Sequence, residues 1–405
     1  MLRQGAFARY ITGDAISMLG TWMQQMAQGW VLAGLTTTAF TLGLVTFVSS
    51  LPMLALTMFG GVVADRIDKR HILFVAQIVQ ALLAVWIGHL VGTGEIRVLH
   101  IVIAGICLGI TTAFEMPAAS ALVPELVERE QLSAAIAVDR SIFHATRLIG
   151  PALGGLLIGW LGTAWAFYAN ALSFGALMIA LMTIHPRPRG DAHEEAARRT
   201  GMAEGLAYVR GDKPTRAMIS LLAMATFCIS PFFMILMPIY SRHVLHIPPE
   251  QHGILMGSSG IGAFTGSLWL LSIRQDKRRA WMIAAVGGIV IAMSAVAAAR
   301  GLAQAVVAMS TLTLGTSTIF GLANTIVQER APDYIRGRVS AIAGLSFFGV
   351  LPFSGLIMSK FADLVGLRLA MGSSAVCFGV GAAIMLYSHR RAEEPAPTEG
   401  AVENS

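Results

Sequence analysis

The stretch Gly60-Gly61-Val62-Val63-Ala64-Asp65-Arg66-Ile67-Asp68-Lys69-Arg70 lies between two long apolar runs. Roughly twenty apolar residues on either side suffice to cross a bilayer as a helix, so the stretch reads as a tight charged turn joining two membrane spans. A plain solvated loop needs neither the paired glycines nor the acid-then-base order. The glycines permit a neighbouring helix to approach closely. Asp65 can accept backbone N–H groups at a helix start, and Arg66, Lys69 and Arg70 hold the turn on the cytoplasmic face. The combination predicts a latch between helices that must open and close.

The rest of the chain agrees with a polytopic helical membrane protein. Of its 405 residues 55% are hydrophobic and only 13% charged, with mean hydropathy +0.67. A soluble domain carries about a quarter charged residues. The net charge of +6 is no nucleic-acid signature, because the basic residues are not interleaved with aromatics on one surface. Most of the 29 Lys and Arg fall in the termini and alternate loops of one side. Only Arg97, Arg242, Arg300, Lys360 and Arg368 fall on the other, and Arg140 and Arg147 lie in a span. The positive-inside rule then places both termini in the cytoplasm and requires an even number of spans. Cys107, Cys228 and Cys377 stand far apart in apolar runs, with no metal-ligand spacing and no implied disulfide. The first apolar segment is interrupted by Asp14, Gln24, Gln25 and Gln28, so it reads as a retained span and not a cleaved signal.

Twelve spans fit the pattern: 10–33, 42–64, 71–92, 98–122, 137–160 and 164–184, then 216–240, 251–272, 280–299, 303–325, 338–360 and 367–388. The expected organisation is an N-terminal six-helix bundle over 1–185, a cytoplasmic linker over 186–215, a C-terminal bundle over 216–391 and a disordered cytoplasmic tail over 392–405. In the linker, Glu194–Arg199 and Met202–Val209 are read as short amphipathic surface helices. The halves resemble each other about 204 residues apart, a signal of internal duplication. Ala121-Leu122-Val123-Pro124-Glu125 aligns with Thr325-Ile326-Val327-Gln328-Glu329, and Gly61 falls near Gly266. Leu270 or Trp269 stands where a second Asp65 would fall, so the predicted latch is asymmetric.

Several stretches carry a family resemblance. Gly61-x-x-x-Asp65-Arg66-x-x-Lys69-Arg70 resembles the loop signature between the second and third spans of the major facilitator superfamily, with Asp68 where many members have glycine. Arg147-Leu148-Ile149-Gly150-Pro151-x-x-Gly154-Gly155 resembles that superfamily's antiporter signature, with Thr146 where a further glycine is usual. The stretches Gly20-Thr21-Trp22-Met23-Gln24, Trp30, Pro117 to Leu126, and Arg336-Gly337-Arg338-Val339-Ser340 are similar to the enterobactin-exporter and macrolide-efflux (transmembrane secretion effector) branch. Many branch members carry arginine where this chain has Ala119. The resemblance implies an all-α integral membrane fold of twelve transmembrane helices, in two six-helix bundles related by a pseudo-two-fold axis. It implies a monomeric, proton-coupled exporter of a small amphipathic or hydrophobic molecule, such as a drug or siderophore, in a bacterial inner membrane. Its partners are protons, substrate and membrane lipids. An importer or uniporter on the same fold, or a non-transporting receptor, is the alternative.

The candidate site residues each carry two readings. Asp14, Ser17, Thr21, Gln24, Gln25 and Gln28 form a polar stripe on one face of the first span. Such a face lines a cavity or makes interhelical hydrogen bonds. Asp14 is also a proton-coupling candidate, or a solvated helix-terminal charge. Glu115 and Arg147 lie at depths that a long arginine can bridge. They read as a proton-coupling pair or as a static ion pair, with His144 as a relay or a packed residue. Asp139 and Arg140 belong to the cytoplasmic latch, and Asp65 is expected to dock around Arg336, Arg338 and Ser340. Gly150, Pro151, Gly154 and Gly155 predict a kinked, tightly packed helix with a conformational role, or generic packing. Trp22, Met23, Met26, Trp30, Phe232, Phe233 and Met234 are candidates for an apolar substrate wall, and Asn324 with Thr311, Thr313, Thr316 and Ser317 supplies polarity in a second half that has no intramembrane acid. Gly260-x-Gly262-x-x-x-Gly266 lies inside a span and reads as helix packing. With no phosphate-binding loop, no cofactor and no metal site in the sequence, an ion gradient is the expected energy source.

Overall fold

The computed structural model describes residues 5–184, 202–332 and 334–393. Its first half contains α1 (Gly5–Leu35), α2 (Ala39–Arg66), α3 (Lys69–Gly92), α4 (Val98–Leu122), α5 (Leu132–Leu161) and α6 (Thr163–Thr183). A short helix, α7 (Met202–Gly211), precedes α8 (Lys213–Cys228), which continues through Ser230–Met234 and Met237–Ile239 into one π-helical turn, Tyr240–Val244. Then come α9 (Pro249–Leu270), α10 (Arg278–Ala298), α11 (Leu302–Arg330), α12 (Arg336–Phe348), α13 (Val350–Val365) and α14 (Leu367–Glu393). With α8 and its continuation as one crossing, and α12 with α13 as another, the chain crosses twelve times. No strand occurs among the described residues. The predicted helix Glu194–Arg199 and the tail after 393 lie outside the described residues.

Nine of the crossings are long and apolar enough to span a membrane on length and hydropathy alone. The other three have identifiable reasons. α1 carries the polar stripe. α9 begins Pro249-Glu250-Gln251-His252 and is rich in glycine and serine. The seventh crossing, predicted as one helix over 216–240, is interrupted near Pro231 and Pro238, where the ring removes an N–H and crowds the preceding turn.

The Gly60–Arg70 turn is shorter than its sequence suggests. α2 runs through Asp65 to Arg66, and Asp68 is the residue that caps α3, accepting from Arg70 N at 2.9 Å. Lys69 pairs with Glu125 at 2.8 Å, and Arg70 donates to Ile184 O at 2.9 Å, clipping the turn to the ends of α4 and α6. The glycine that packs is Gly60, against the Ala113 carbonyl of α4, while Gly61 faces open space.

In the first half α1 packs on α5 and α6, α2 on α4, and α3 on α6; in the second, α9 packs on α11, α8 on α14, and α10 on α11 and α14. Gly162 and Gly366 end α5 and α13 with φ of 95° and 87°, a conformation that favours glycine, and they stand at the same offset of about 204 residues as the sequence repeat. The halves meet through α5 on α9 and α2 on α13. These contacts concentrate on the side away from the Gly60–Arg70 turn. Gly155 of α5 lies against Gly253 of α9, Gly159 against Glu250, and Gly43 of α2 against Ser359 and Gly355 of α13. On the turn side, Met58, Phe59 and Val62 are exposed.

Candidate functional site

A cavity of about 340 Å³ opens between the halves. Gln25, Gln28 and Gly29 of α1 line one wall; Thr46, Ser49, Ser50 and Met53 of α2 and Thr112 of α4 line another. The second half contributes Met234, Ile235, Pro238, Met256 and Leu351. A smaller recess, formed by Trp22, Gln25, Arg147, Pro151, Phe233, Met234, Met256 and Ser259, shares several of these residues. Mixed hydroxyl, amide and thioether walls suit a substrate with an apolar body and a few polar groups.

The polar stripe of α1 divides between two roles. Gln25 and Gln28 face the cavity, but Gln24 is buried and accepts from Asn170 Nδ2 at 2.8 Å, joining α1 to α6. Gln24 is therefore a helix-packing group and not a cavity residue. Thr21 donates to its own helix at Ser17 O, 3.0 Å away, and is exposed. Among the proposed wall residues Phe233 lines the recess, whereas Phe232 is 1% exposed in the core of the second half. Asn324 donates back to Phe320 O at 3.0 Å and does not line the cavity. Trp30 is buried and stacks on His252, with ring centroids 5.4 Å apart, and does not line the cavity.

Glu115 and Arg147 do not pair. Glu115 accepts from Gln77 Nε2 at 2.8 Å and from Gln80 Nε2 at 2.5 Å, both on α3. Gln77 Oε1 in turn accepts from Ser17 Oγ at 3.1 Å. Asp14, one turn before Ser17, is buried, which removes the reading of a solvated terminal charge. It lies within electrostatic range of both Glu115 and Asp139. The first half thus holds three carboxylates close together, with Glu115 held by neutral amides. Arg147 sits elsewhere, its guanidinium 5.7 Å from the Trp22 ring centre. No ion pair joins the two among the described residues: Glu115 faces the glutamines of α3, and Arg147 faces Trp22. His144 lies near Arg140 and Arg147, and no hydrogen bond joins it to an acid among the described residues.

The antiporter-like stretch is a contact surface with two sides. α5 runs through Pro151 without a break. Gly150 and Gly154 pack against Trp22 and Met23 of α1, and Gly155 packs against Gly253 of α9. The same stretch therefore touches both a neighbour within its half and the opposite half.

The latch expected between Asp65 and the start of α12 is not formed among the described residues. Asp65 and Arg66 are exposed, and no hydrogen bond or ion pair joins Asp65 to α12 among the described residues. Arg336 donates to Gln328 O at 3.0 Å, and Arg338 pairs with Glu204 of α7 at 2.7 Å. Arg140 is exposed, and no hydrogen bond or ion pair joins it or Asp139 to the second half among the described residues. The engaged gate lies on the other side and was missed in the sequence. Asp363 of α13 accepts Ala39 N at 2.7 Å and Phe40 N at 2.9 Å, capping α2 from the opposite half. Arg242 stacks 5.1 Å from the Trp30 ring centre, His243 Nε2 is 2.8 Å from Ala33 O, and buried His252 shares a hydrogen bond with Ser241 Oγ at 2.8 Å. Gln77 and Gln80 had a readable signal, two amides three residues apart in an apolar run. Asp363 had none, because its partners are backbone groups more than 300 positions away.

Comparison with known proteins matches this geometry. The transmembrane secretion effector family matches residues 1–400. A multidrug efflux pump, Tap, of Mycolicibacterium fortuitum is 24% identical over 88% of this chain and 90% of its own length. The staphyloferrin A transporter of Staphylococcus aureus is 24% identical over 91% of this chain and 93% of its own. Macrolide efflux protein A of Streptococcus pyogenes is 25% identical over the same shares. Among solved structures, a bacterial homologue of the lysosomal transporter Spinster, inward-facing, has a TM-score of 0.73 at 14% identity, covering 98% of this chain and 99% of that one. A bacterial homologue of the iron transporter ferroportin, also inward-facing, has a TM-score of 0.74 at 14% identity, over 95% and 99%. With twelve crossings, a cavity between two bundles and a family match over nearly its whole length, the chain belongs to the transmembrane secretion effector family of the major facilitator superfamily and is a membrane transporter, not an enzyme.

Proposed function

We propose that this transporter is a proton-coupled exporter of a small amphipathic or hydrophobic molecule, working as a monomer by alternating access in a bacterial inner membrane. The positive-inside distribution supports cytoplasmic termini, which makes the turn side cytoplasmic and the conformation described here inward-facing. The efflux relatives support the outward direction of transport. One observation carries the coupling: Glu115 lies inside the first bundle with two neutral amides for partners and, among the described residues, no cation. A carboxyl so placed can hold or release a proton without breaking an ion pair, and Asp14 and Asp139 extend the group towards α1 and α5. Gln25, Gln28, Met234 and Met256 would receive the substrate. When the halves rock, Asp65 would reach the start of α12 near Arg336–Ser340 and close the cytoplasmic side.

The test is gradient-driven efflux in liposomes holding the purified protein. Glu115→Gln should abolish the dependence of efflux on an imposed pH gradient, with a loss of at least tenfold in initial rate. A variant that keeps the full pH-dependent rate would remove Glu115 from the coupling.

A further inference from the structure

Arg147 lines the recess beside the cavity as a cation without a counter-ion among the described residues. It is part-buried, and among the described residues no hydrogen bond or ion pair joins it to any acid. It lies over the face of Trp22, 5.7 Å from the guanidinium carbon to the ring centre. A ring face offsets part of the charge but accepts none of the five N–H donors in the way a carboxylate does. The acids that could have neutralised it are committed elsewhere. Glu115 is held by Gln77 and Gln80, Asp14 is grouped with it, and Glu250 lies against Gly159, three turns further along α5.

The approach to Arg147 is also basic. Arg140, His144 and Arg147 share one face of α5 at spacings of four and three residues, from exposed Arg140 to the recess beside the cavity. The two guanidiniums of this face, Arg140 and Arg147, beside low-dielectric walls raise the local concentration of anions. The recess around Arg147 is small, about 30 Å³, room for one small polar group; Gln25 and Ser259 stand beside Trp22, Phe233, Met234 and Met256 in its wall, and Gln25, Met234 and Met256 also line the 340 Å³ cavity. We propose that this recess takes the anionic group of an amphipathic substrate, a carboxylate or similar oxyanion set bidentate on the Arg147 guanidinium, with the substrate's apolar body against Trp22, Phe233 and the two methionines. The inference deepens the transport reading and rests on it for the pathway, but it does not depend on proton coupling.

The experiment is equilibrium binding to the purified full-length protein at pH 7, read by energy transfer from tryptophan to a dansyl probe. Two probes share one skeleton: dansylglycine, with a free carboxylate, and dansylglycinamide, its neutral amide. The wild type should bind the carboxylate at least tenfold more tightly, Arg147→Gln should bring the two within twofold, and Arg147→Lys should keep part of the preference because a positive charge remains. Equal affinity of the wild type for the two probes, binding of neither, or an unchanged ratio in Arg147→Gln overturns the anion site. If Arg147→Gln does not fold, the wild-type ratio and its fall with added salt decide alone. An equal-affinity wild type that still shows gradient-driven efflux defeats the anion site and leaves the export reading standing. A tenfold ratio without such efflux does the reverse.

Discussion

Asp212 does two jobs at the start of the second bundle. It caps α8 by accepting Thr215 N at 3.0 Å, and it pairs with Arg330 at the end of α11 at 2.9 Å. The Arg330 guanidinium, with the Thr215 backbone N–H, holds its carboxyl down at about 2. A depressed folded-state value means that the stabilisation is present above the ordinary carboxylate range and is lost as pH falls through about 2. The anchor is therefore locked at every physiological pH. Asp212→Asn should lower stability by about 1 kcal/mol near pH 7, allowing for solvent screening at this part-exposed site, and the gap from wild type should narrow as pH drops from 4 towards 2. Thermal melts across that range check it. At this scale the type of a residue was readable more often than its partner. Glu115 stands out in any apolar run, but its pairing with Arg147 was inferred from depth along two helices, and depth says nothing about which way each side chain points. Asp68, a departure from the family pattern, is the actual cap of α3, while Asp65 ends in solvent.

At the scale of elements, the α5–α9 contact depends on the absence of side chains. A Cβ on Gly253 would meet Pro151 O at 2.6 Å and Gly155 Cα at 2.9 Å, both backbone atoms that cannot swing aside. Gly253→Val should therefore force the bundles apart on the side that is closed here and destabilise this conformation by about 1–3 kcal/mol. A cysteine introduced at buried Leu42, in a chain lacking Cys107, Cys228 and Cys377, reports it: labelling by a membrane-impermeant maleimide from the side away from the turn should rise several-fold. An unchanged rate would show that the helices can repack around the new side chain. The glycines of α5 and α9 were visible in the sequence, but their pairing across halves was not, since helix packing within a bundle uses the same residues. The broken seventh crossing was legible in principle. Pro231 and Pro238 mark it, but an apolar run of the right length outweighed them.

For the whole molecule, apolar runs and the basic-residue asymmetry were enough for twelve crossings, because a bilayer allows few other solutions to backbone hydrogen bonding. The conformational state was not legible, since one sequence must encode at least two. The closed side is held in part by Asp363, which caps α2 across the interface. Asp363→Asn keeps the shape and removes the charge. It should weaken closure by about 1–2 kcal/mol, a five- to thirty-fold shift in population, and raise Leu42→Cys labelling accordingly. If labelling did not change, Asp363 would be a local cap with no part in the state equilibrium. Asp363 stands near the carboxyl end of α13 and serves the amino end of α2; Asp65 stands near the carboxyl end of α2 and, in the proposed cycle, serves the amino end of α12 in the same crossing. Each rocking motion then uncovers one helix end as it covers another. Such a see-saw keeps its two resting positions nearly level in free energy, so the arrival of a single proton or a weakly held molecule is enough to tip it.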